Sequence, residues 1–293
     1  MAKRIETKTS RTAEMTCLSR AASFYESNPC YKSHDYVAPL LVPSLMKVLI
    51  RLPFLRKLFY NAIAPSGIYE YVIARTKYID EVFQQAIDKG FNQILIFGAG
   101  FDTRAIRFQS GLKNMKVFEL DVPVTQRAKI QQYGNRNILV PSNIVFISID
   151  FDRESLRQKL DDSGFERNKR SLFILEGLLM YLEPHSITQT FTVIKEYAGK
   201  GSMIVFDTVH SSVLQHENLY YGEAGALQMV AKANEQWTFG MEKSDVEPFL
   251  ANYGFRLLDC KDARDLENTY FKGTDGNIVG RINGTHFIVT AEK

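Results

Sequence analysis

The sequence is poor in cysteine and contains no long apolar run. Its three cysteines, Cys17, Cys30 and Cys260, lack the paired spacing of a zinc site or a disulfide framework, so neither is predicted. No uninterrupted apolar run approaches the roughly 18 residues of a membrane-spanning helix, and no leader with a cleavage site is recognisable. These absences predict a cytoplasmic protein without stable membrane insertion.

Net charge is also nearly absent. The 293 residues include 36 Lys and Arg against 33 Asp and Glu, which leaves a formal net charge of +3. No basic stripe is interleaved with aromatic residues, so nucleic acid is not an expected partner. The length suffices for one large α/β domain with a substantial core, and no pattern specifies an oligomeric state.

The most informative stretch runs from Gln93 to Arg104. Four apolar residues, Ile94 to Phe97, lead into Gly98 and Gly100 and then into a capping pair before a helical pattern. This order predicts a strand buried on both faces, a tight turn and the start of a helix. Such a turn at the carboxyl end of a parallel strand is where open α/β sheets bind nucleoside-containing ligands.

The rest of the chain after this stretch alternates between strand and helix patterns. Strands are predicted at 94–97, 116–121, 143–150, 171–176, 202–207, 254–260 and 285–291, and helices at 123–134, 152–162, 186–199, 224–234 and 245–253. The alternation predicts an α/β fold with a Rossmann-like, mostly parallel, seven-stranded sheet. The last strand should be antiparallel, because the turn-rich segment 272–284 leads into it.

The first 88 residues follow a different pattern. They show helical periodicity broken by prolines and no strand alternation, which predicts an N-terminal helical cap at 1–88 on a domain at 89–293. A helical insertion at about 211–240 interrupts that domain. Segment 41–65 carries only positive charges, and its helix is either a lid or membrane-surface helix or a packed helix with a solvated basic face.

Four acidic residues follow strand patterns two to five. Because parallel strands end at one edge of a sheet, these four acids are expected on the rim that carries the glycine turn: Asp121, Asp150, Glu176 and Asp207. A single acid at a strand end is usually a cap or a turn residue. Four on one edge predict a binding site.

The second strand supplies the best candidate for a ribose contact. A carboxylate about 20 residues beyond a glycine turn accepts hydrogen bonds from ribose hydroxyls, and Asp121 is preferred to Glu119 because it lies nearer the rim. Asp150 could meet an adenine amino group with Phe151 against the ring. Capping of the following helix is an equal alternative for Asp150.

The ligand of this rim could be a dinucleotide or S-adenosylmethionine. The dinucleotide fingerprint requires a third glycine at position 103, where this sequence has Thr103. A ring of carboxylates also repels a pyrophosphate but attracts a sulfonium and an α-ammonium group. The acidic rim therefore favours S-adenosylmethionine.

Four sequence runs resemble the leucine carboxyl methyltransferase family. They are Arg75-Thr-Lys-Tyr-Ile-Asp80, the run from Gln93 to Arg107, Phe118-Glu-Leu-Asp-Val-Pro123 and Leu175-Glu-Gly-Leu-Leu-Met-Tyr-Leu182. The resemblance spans about residues 10–260 and is strongest to the bacterial and archaeal branch with polyketide O-methyltransferases of the tetracenomycin type. It implies an S-adenosylmethionine-dependent O-methyltransferase of a small molecule.

The resemblance also implies roles for individual positions. Arg75 would hold the methionine carboxylate of the cofactor, although its spacing alone predicts a surface residue. The remaining implied cofactor contacts are Gly98 and Gly100 behind the methionine portion, Asp121 at the ribose, Asp150 at the adenine and Glu176 near the amino-acid end.

The acceptor decides whether a base is needed. A carboxylate is already an anion, whereas a phenol or enol requires a general base, for which Tyr181 and His210 are the candidates. The expected acceptor is a small molecule that is apolar or anionic. Two alternatives stay open: an NAD-dependent oxidoreductase, and a methyltransferase-like fold that binds S-adenosylmethionine without catalysis.

Overall fold

The computed structural model describes residues 9–151 and 153–293. In chain order the helices are α1 Arg11–Phe24, α2 Ala38–Leu41, α3 Ser44–Arg51, α4 Pro53–Ile63, α5 Ile68–Asp88, α6 Arg104–Arg107, α7 Pro123–Asn135, α8 Leu156–Ser163, α9 Pro184–Tyr197, α10 Glu223–Ala233, α11 Lys243–Asn252 and α12 Ala263–Tyr270. The strands are β1 Gln93–Phe97, β2 Lys116–Asp121, β3 Ile144–Ser148, β4 Ser171–Leu175, β5 Met203–Val209, β6 Arg256–Lys261 and β7 His286–Glu292.

The strands form one seven-stranded sheet in the order β3-β2-β1-β4-β5-β7-β6. Strands β1 to β5 are parallel, and β7 runs antiparallel to both of its neighbours, β5 and β6. The predicted sheet and its antiparallel last strand are therefore confirmed. The strand order reverses beside β1, and a sheet of this kind binds ligands at such a switch point.

The apolar run of β1 forms a central strand because both faces of the sheet are covered. Ile94 and Ile96 join one core with helix α5, whereas Leu95 and Phe97 join the opposite core with helix α9. All five residues of β1 are buried. A strand covered on both faces needs no polar alternation, which explains the unbroken run in the sequence.

The long helix α5 carries the N-terminal helices onto the sheet. It begins after Gly67, whose φ of +76° suits glycine and whose Cβ, if present, would lie 2.3 Å from the backbone nitrogen of Asn283. Helix α1 packs against α5 on the same side of the sheet as α2. Among the described residues, no helix has the length and apolarity needed to span a membrane.

Several predicted boundaries differ from the observed ones. Strand β5 continues two residues beyond its expected end at Asp207, because β7 extends the pairing as far as Val209. Helix α8 was predicted to begin at 152, which lies outside the described residues, but it begins at Leu156. The side chain of Ser155 caps it by accepting a hydrogen bond from the backbone N–H of Gln158. Helix α12 was not predicted, although Asp262 and Asp265 form a capping box at its start.

Candidate active site

The glycine turn after β1 brings its backbone close to two other segments, at Leu178 and at Ala13. Gly98 and Gly100 have φ values of +58° and +48°, which glycine adopts readily. A Cβ on Gly98 would lie 3.1 Å from Leu178 Cδ1, and one on Gly100 would lie 3.2 Å from Ala13 Cβ. A side chain at either position would therefore crowd these neighbours, so the tight turn favours glycine.

The carboxylate of Asp121 supports this turn from the end of β2. It accepts hydrogen bonds from the backbone N–H groups of Gly100 and Val122. Burial raises the pKa of Asp121 to about 6, although both backbone hydrogen bonds act in the opposite direction. Each oxygen keeps a lone pair, so the carboxylate can still accept hydrogen bonds from a ligand.

Glu119, the second choice for a ribose contact, has a different environment. Its Oε2 accepts a 2.6 Å hydrogen bond from Lys129 Nζ, and both side chains are almost completely buried. Glu119 is not among the described residues that line the cavity at the glycine turn, whereas Asp121 is. The structure thus separates two acids that strand periodicity places on one face.

Arg75 lies at the centre of a buried ionic network. Its Nη1 donates to Asp207 Oδ2 at 2.7 Å, and its Nε lies 3.0 Å from Glu176 Oε1. Although burial opposes the charge, these carboxylates raise the pKa of Arg75 above its ordinary value. Arg75 is 5% exposed, so the surface position predicted from spacing alone is wrong.

Glu176 links this network to the helix after the glycine turn. Its Oε2 accepts a 2.7 Å hydrogen bond from Arg104 Nη1, and Arg104 Nε donates to Asp80 Oδ1 at 2.8 Å. Despite burial, Arg104 and Arg75 hold the pKa of Glu176 below its ordinary value. Asp207 is fully buried behind Arg75 and is not among the cavity-lining residues that the structure describes.

A cavity of about 530 Å³ opens over the glycine turn. Three of the four strand-end acids line it, together with the two turn glycines, Arg75, Phe151 and Tyr181. Its walls also include apolar side chains from several helices and loops: Ile68, Val72, Leu178, Met180, Leu182, Met229 and Trp237. The cavity therefore combines charged groups with a large apolar surface.

The remaining candidates from the sequence occupy distinct positions. Asp150 lies at the cavity with its carboxylate 3.7 Å from Arg153 Nε. Tyr181 lines the cavity, and burial raises the pKa of its hydroxyl, so this hydroxyl is neutral at physiological pH. His210 stacks on Tyr220 with ring centroids 4.5 Å apart, and its Nδ1 lies 3.2 Å from Glu242 Oε2.

Sequence reasoning missed two groups at the cavity. His286, at the start of β7, lines it, whereas His210 is not among the lining residues described. The start of α1 also lines it, through Ser10, Thr12 and Ala13. The available signal for His286 was its position at the start of the antiparallel strand β7, because such a strand begins at the edge where the parallel strands end.

Glu235 holds the start of α1 over the cavity. Its carboxylate accepts from the backbone N–H of Arg11 at 2.8 Å and of Thr12 at 3.2 Å, and also from both hydroxyls of Ser10 and Thr12. We expect Glu235→Ala to increase amide hydrogen exchange at residues 11 and 12 by about tenfold or more, because charged acceptors are lost. Unchanged exchange at both amides would show that Glu235 does not hold this segment.

The residues of the cavity fit S-adenosylmethionine. The glycine turn, which has no room for a Cβ, lies beside the carboxylate of Asp121, which is suited to ribose hydroxyls. Arg75 Nη2 donates to no residue in the described part of the chain, so it is free to donate to the carboxylate of a ligand. The acids of the lining also suit a cofactor with a positively charged sulfur.

Comparison with known proteins identifies the family. The family description "Leucine carboxyl methyltransferase" matches residues 13–195, which is more than half of the chain. The chain belongs to this family. The matched residues include the glycine turn, Arg75, Asp121 and Glu176, which the sequence predicts as cofactor contacts.

Related proteins carry the corresponding activity in their provisional names. Protein YktD of Bacillus subtilis (strain 168), provisionally named an S-adenosyl-L-methionine-dependent methyltransferase, is 24% identical over 221 residues, 75% of this chain and 72% of YktD. A Mycobacteroides abscessus protein with the same provisional description is 32% identical over 165 residues, 55% of this chain and 50% of that protein. The chain thus spans about half the length of such mycobacterial relatives.

A solved structure supports the fold assignment for this family member. The crystal structure of a provisionally assigned methyltransferase from Thermobifida fusca YX superposes with a TM-score of 0.54 over 97% of both chains, at 12% identity. The chain described here therefore has the class I methyltransferase fold, and its cofactor is S-adenosyl-L-methionine. The prediction of S-adenosylmethionine in preference to a dinucleotide is therefore confirmed.

Proposed function

We propose that this methyltransferase transfers a methyl group to an oxygen, in a carboxylate or a hydroxyl, of a small and largely apolar acceptor. The observation that carries the proposal is the lining of the cavity, where polar groups suited to S-adenosylmethionine lie next to apolar side chains. Bound S-adenosylmethionine supplies an electrophilic methyl group on a sulfonium. The protein contributes by aligning the acceptor with it and by excluding water from the cavity.

We further propose the individual cofactor contacts. Arg75 holds the methionine carboxylate, with Gly98 and Gly100 behind the methionine portion. The other proposed contacts are Asp121 at the ribose hydroxyls, Asp150 and Phe151 at the adenine, and Glu176 near the amino-acid end. Tyr181, whose hydroxyl stays neutral, is proposed as part of the acceptor wall.

The finer assignments of branch and domains are also proposals. Residues 1–88 are proposed to act as a cap on a methyltransferase domain at 89–293, with the helical insertion at about 211–240 above the acceptor. Contact between the start of α1 and Glu235, which follows α10, supports this arrangement. Within the family, we propose that the chain is most similar in activity to the tetracenomycin-type polyketide O-methyltransferases.

A titration and a transfer assay test the proposed function. We expect S-adenosylhomocysteine to bind in calorimetry while NADH does not, and labelled methyl groups to appear on members of a panel of aromatic carboxylic acids and phenols. Binding of S-adenosylhomocysteine without transfer to any panel member would favour a catalytically silent binding module. Binding of NADH instead would favour the oxidoreductase.

Cofactor affinity should depend on pH through Asp121. Burial raises the pKa of Asp121 in the folded protein to about 6. The protonated carboxyl therefore stabilises the ligand-free protein at pH values below the ordinary pKa of aspartate, and this contribution is lost as the pH rises through about 6. Ribose hydroxyls favour the ionised carboxylate. As the pH rises towards 6, the affinity for S-adenosylhomocysteine should therefore increase by up to about tenfold for each pH unit. Above pH 6 the affinity should level off. Calorimetry from pH 5 to 8 tests this, and an equal slope in Asp121→Asn would contradict it.

A further inference from the structure

The loop before β7 fixes the orientation of one amide side chain. Asn283 Nδ2 donates to the backbone oxygen of Ser66 at 3.0 Å, and its Oδ1 accepts from the backbone N–H of Thr285 at 3.1 Å. Reversal of the amide would place two donors against each other and two acceptors against each other. The Oδ1 atom of Asn283 therefore faces Thr285.

This orientation determines the tautomer of His286. The hydroxyl of Thr285 donates its only proton to Asn283 Oδ1, so its oxygen must act as the acceptor towards His286 Nδ1, 2.7 Å away. Nδ1 of His286 consequently carries a proton. In a neutral imidazole, Nε2 is then left with a lone pair.

His286 presents this neutral ring at the cavity. It stacks on Tyr71 with centroids 4.4 Å apart and meets Trp237 edge-on at 5.1 Å. Burial lowers the pKa of His286 well below its ordinary value, and the charges of Arg75 and His210 act in the same direction. No residue in the described part of the chain hydrogen-bonds to Nε2, so this acceptor atom is available to a ligand.

The lone pair of His286 Nε2 selects between the two acceptor classes. The carboxylates of the lining do not, because Glu176 is paired with Arg75 and Arg104, Asp102 with Arg104 and Asp150 with Arg153. A carboxylate acceptor would face repulsion from the lone pair of Nε2. A neutral hydroxyl would instead donate to Nε2.

We propose that the acceptor is a neutral hydroxyl compound, a phenol or an enol, and that His286 Nε2 is the general base that receives its proton. This inference rests on the proposed function. As the acceptor oxygen forms its bond to the methyl carbon, the methyl–sulfur bond breaks and its electron pair stays on sulfur. The hydroxyl proton moves to Nε2, so the products are a methyl ether, S-adenosylhomocysteine and an imidazolium, which returns its proton to water.

Nitrogen NMR of histidine-labelled protein tests the tautomer without any transfer assay. In the complex with S-adenosylhomocysteine at pH 7, we expect His286 to carry a proton on Nδ1 only, and Thr285→Val to disturb that tautomer. His286→Phe identifies the signal. A proton on Nε2, or a doubly protonated ring, would overturn the proposal because no lone pair would face the acceptor.

Matched probes test the acceptor class. We expect naphthol to bind the S-adenosylhomocysteine complex about tenfold more tightly than naphthoate, and His286→Leu to remove that preference. His286→Gln, which retains an acceptor atom but no base, should bind naphthol normally and lose about 100-fold or more in methyl transfer. His185→Gln on the exposed start of α9 is the matched control and should change neither quantity.

The outcomes separate this inference from the proposed function. Tighter binding of naphthoate, or transfer that His286→Gln leaves intact, overturns the role of His286 while O-methylation stands. Absence of transfer to both probe classes by a protein that binds S-adenosylhomocysteine contradicts the proposed function itself. Retained S-adenosylhomocysteine binding in each variant shows that the variant has folded.

Discussion

Replacement of Arg75 by methionine should destabilise the protein more than any other change considered above. The substitution leaves the buried carboxylates of Asp207 and Glu176 without their shared cation, and breaking a buried pair in this way typically costs about 3–5 kcal/mol. Tyr71 and the backbone N–H of Gly177 also donate to Asp207, so they keep part of its hydrogen bonding. Denaturant unfolding measures the expected fall in the free energy of unfolding.

A surface pair gives the matched control for this variant. Arg256 lies 3.5 Å from Glu292 with 72% of its side chain exposed, and Arg256→Met should cost less than about 1 kcal/mol. Arg75→Lys should recover part of the lost stability, because an ammonium restores the charge without the planar fork. Equal effects of Arg75→Met and Arg256→Met would mean that the buried network contributes nothing to stability.

Asp121→Ala should have the largest effect on cofactor affinity. If Asp121 accepts hydrogen bonds from ribose hydroxyls, its loss removes contacts to a charged acceptor and weakens binding of S-adenosylhomocysteine by roughly 1.5–3 kcal/mol. The change also frees the backbone N–H groups of Gly100 and Val122, which further loosens the turn. Calorimetry at pH 7 measures the affinity.

The exposed loop carboxylate of Asp275 provides the control for this measurement. It hydrogen-bonds to Asn277 and is not among the described residues that line the cavity, so Asp275→Ala should leave the affinity unchanged. A second comparison uses Glu119→Gln, which alters a neighbouring acid that does not line the cavity. If Asp121→Ala binds S-adenosylhomocysteine as tightly as the wild-type protein does, the ribose lies elsewhere.

The sheet and the glycine turn were predictable because local sequence determines them. The apolar run of β1 needs cover on both faces, and only glycine adopts the two positive φ values after it without strain. The position of Asp121 could be predicted for the same reason, since the last residue of a strand of known direction lies at a known edge of the sheet. The antiparallel β7 followed from the turn-rich segment before it.

The environment of Arg75 and the role of His286 could not be predicted in this way. Helical spacing places Arg75 on α5, but its burial depends on carboxylates 101 and 132 positions later in the sequence, which only the packed sheet brings together. The tautomer of His286 depends on the amide of Asn283, which Ser66, 217 positions earlier in the sequence, holds in place. Contacts of this kind arise from tertiary packing and leave no local pattern.

A crystal structure of the protein with S-adenosylhomocysteine tests the central claim most directly. The account predicts that both ribose hydroxyls lie within hydrogen-bonding distance of Asp121, about 2.6–3.2 Å, with the methionine carboxylate at Arg75 and the sulfur facing the apolar part of the cavity. A ligand bound away from the glycine turn, or a ribose that makes no contact with Asp121, would contradict it.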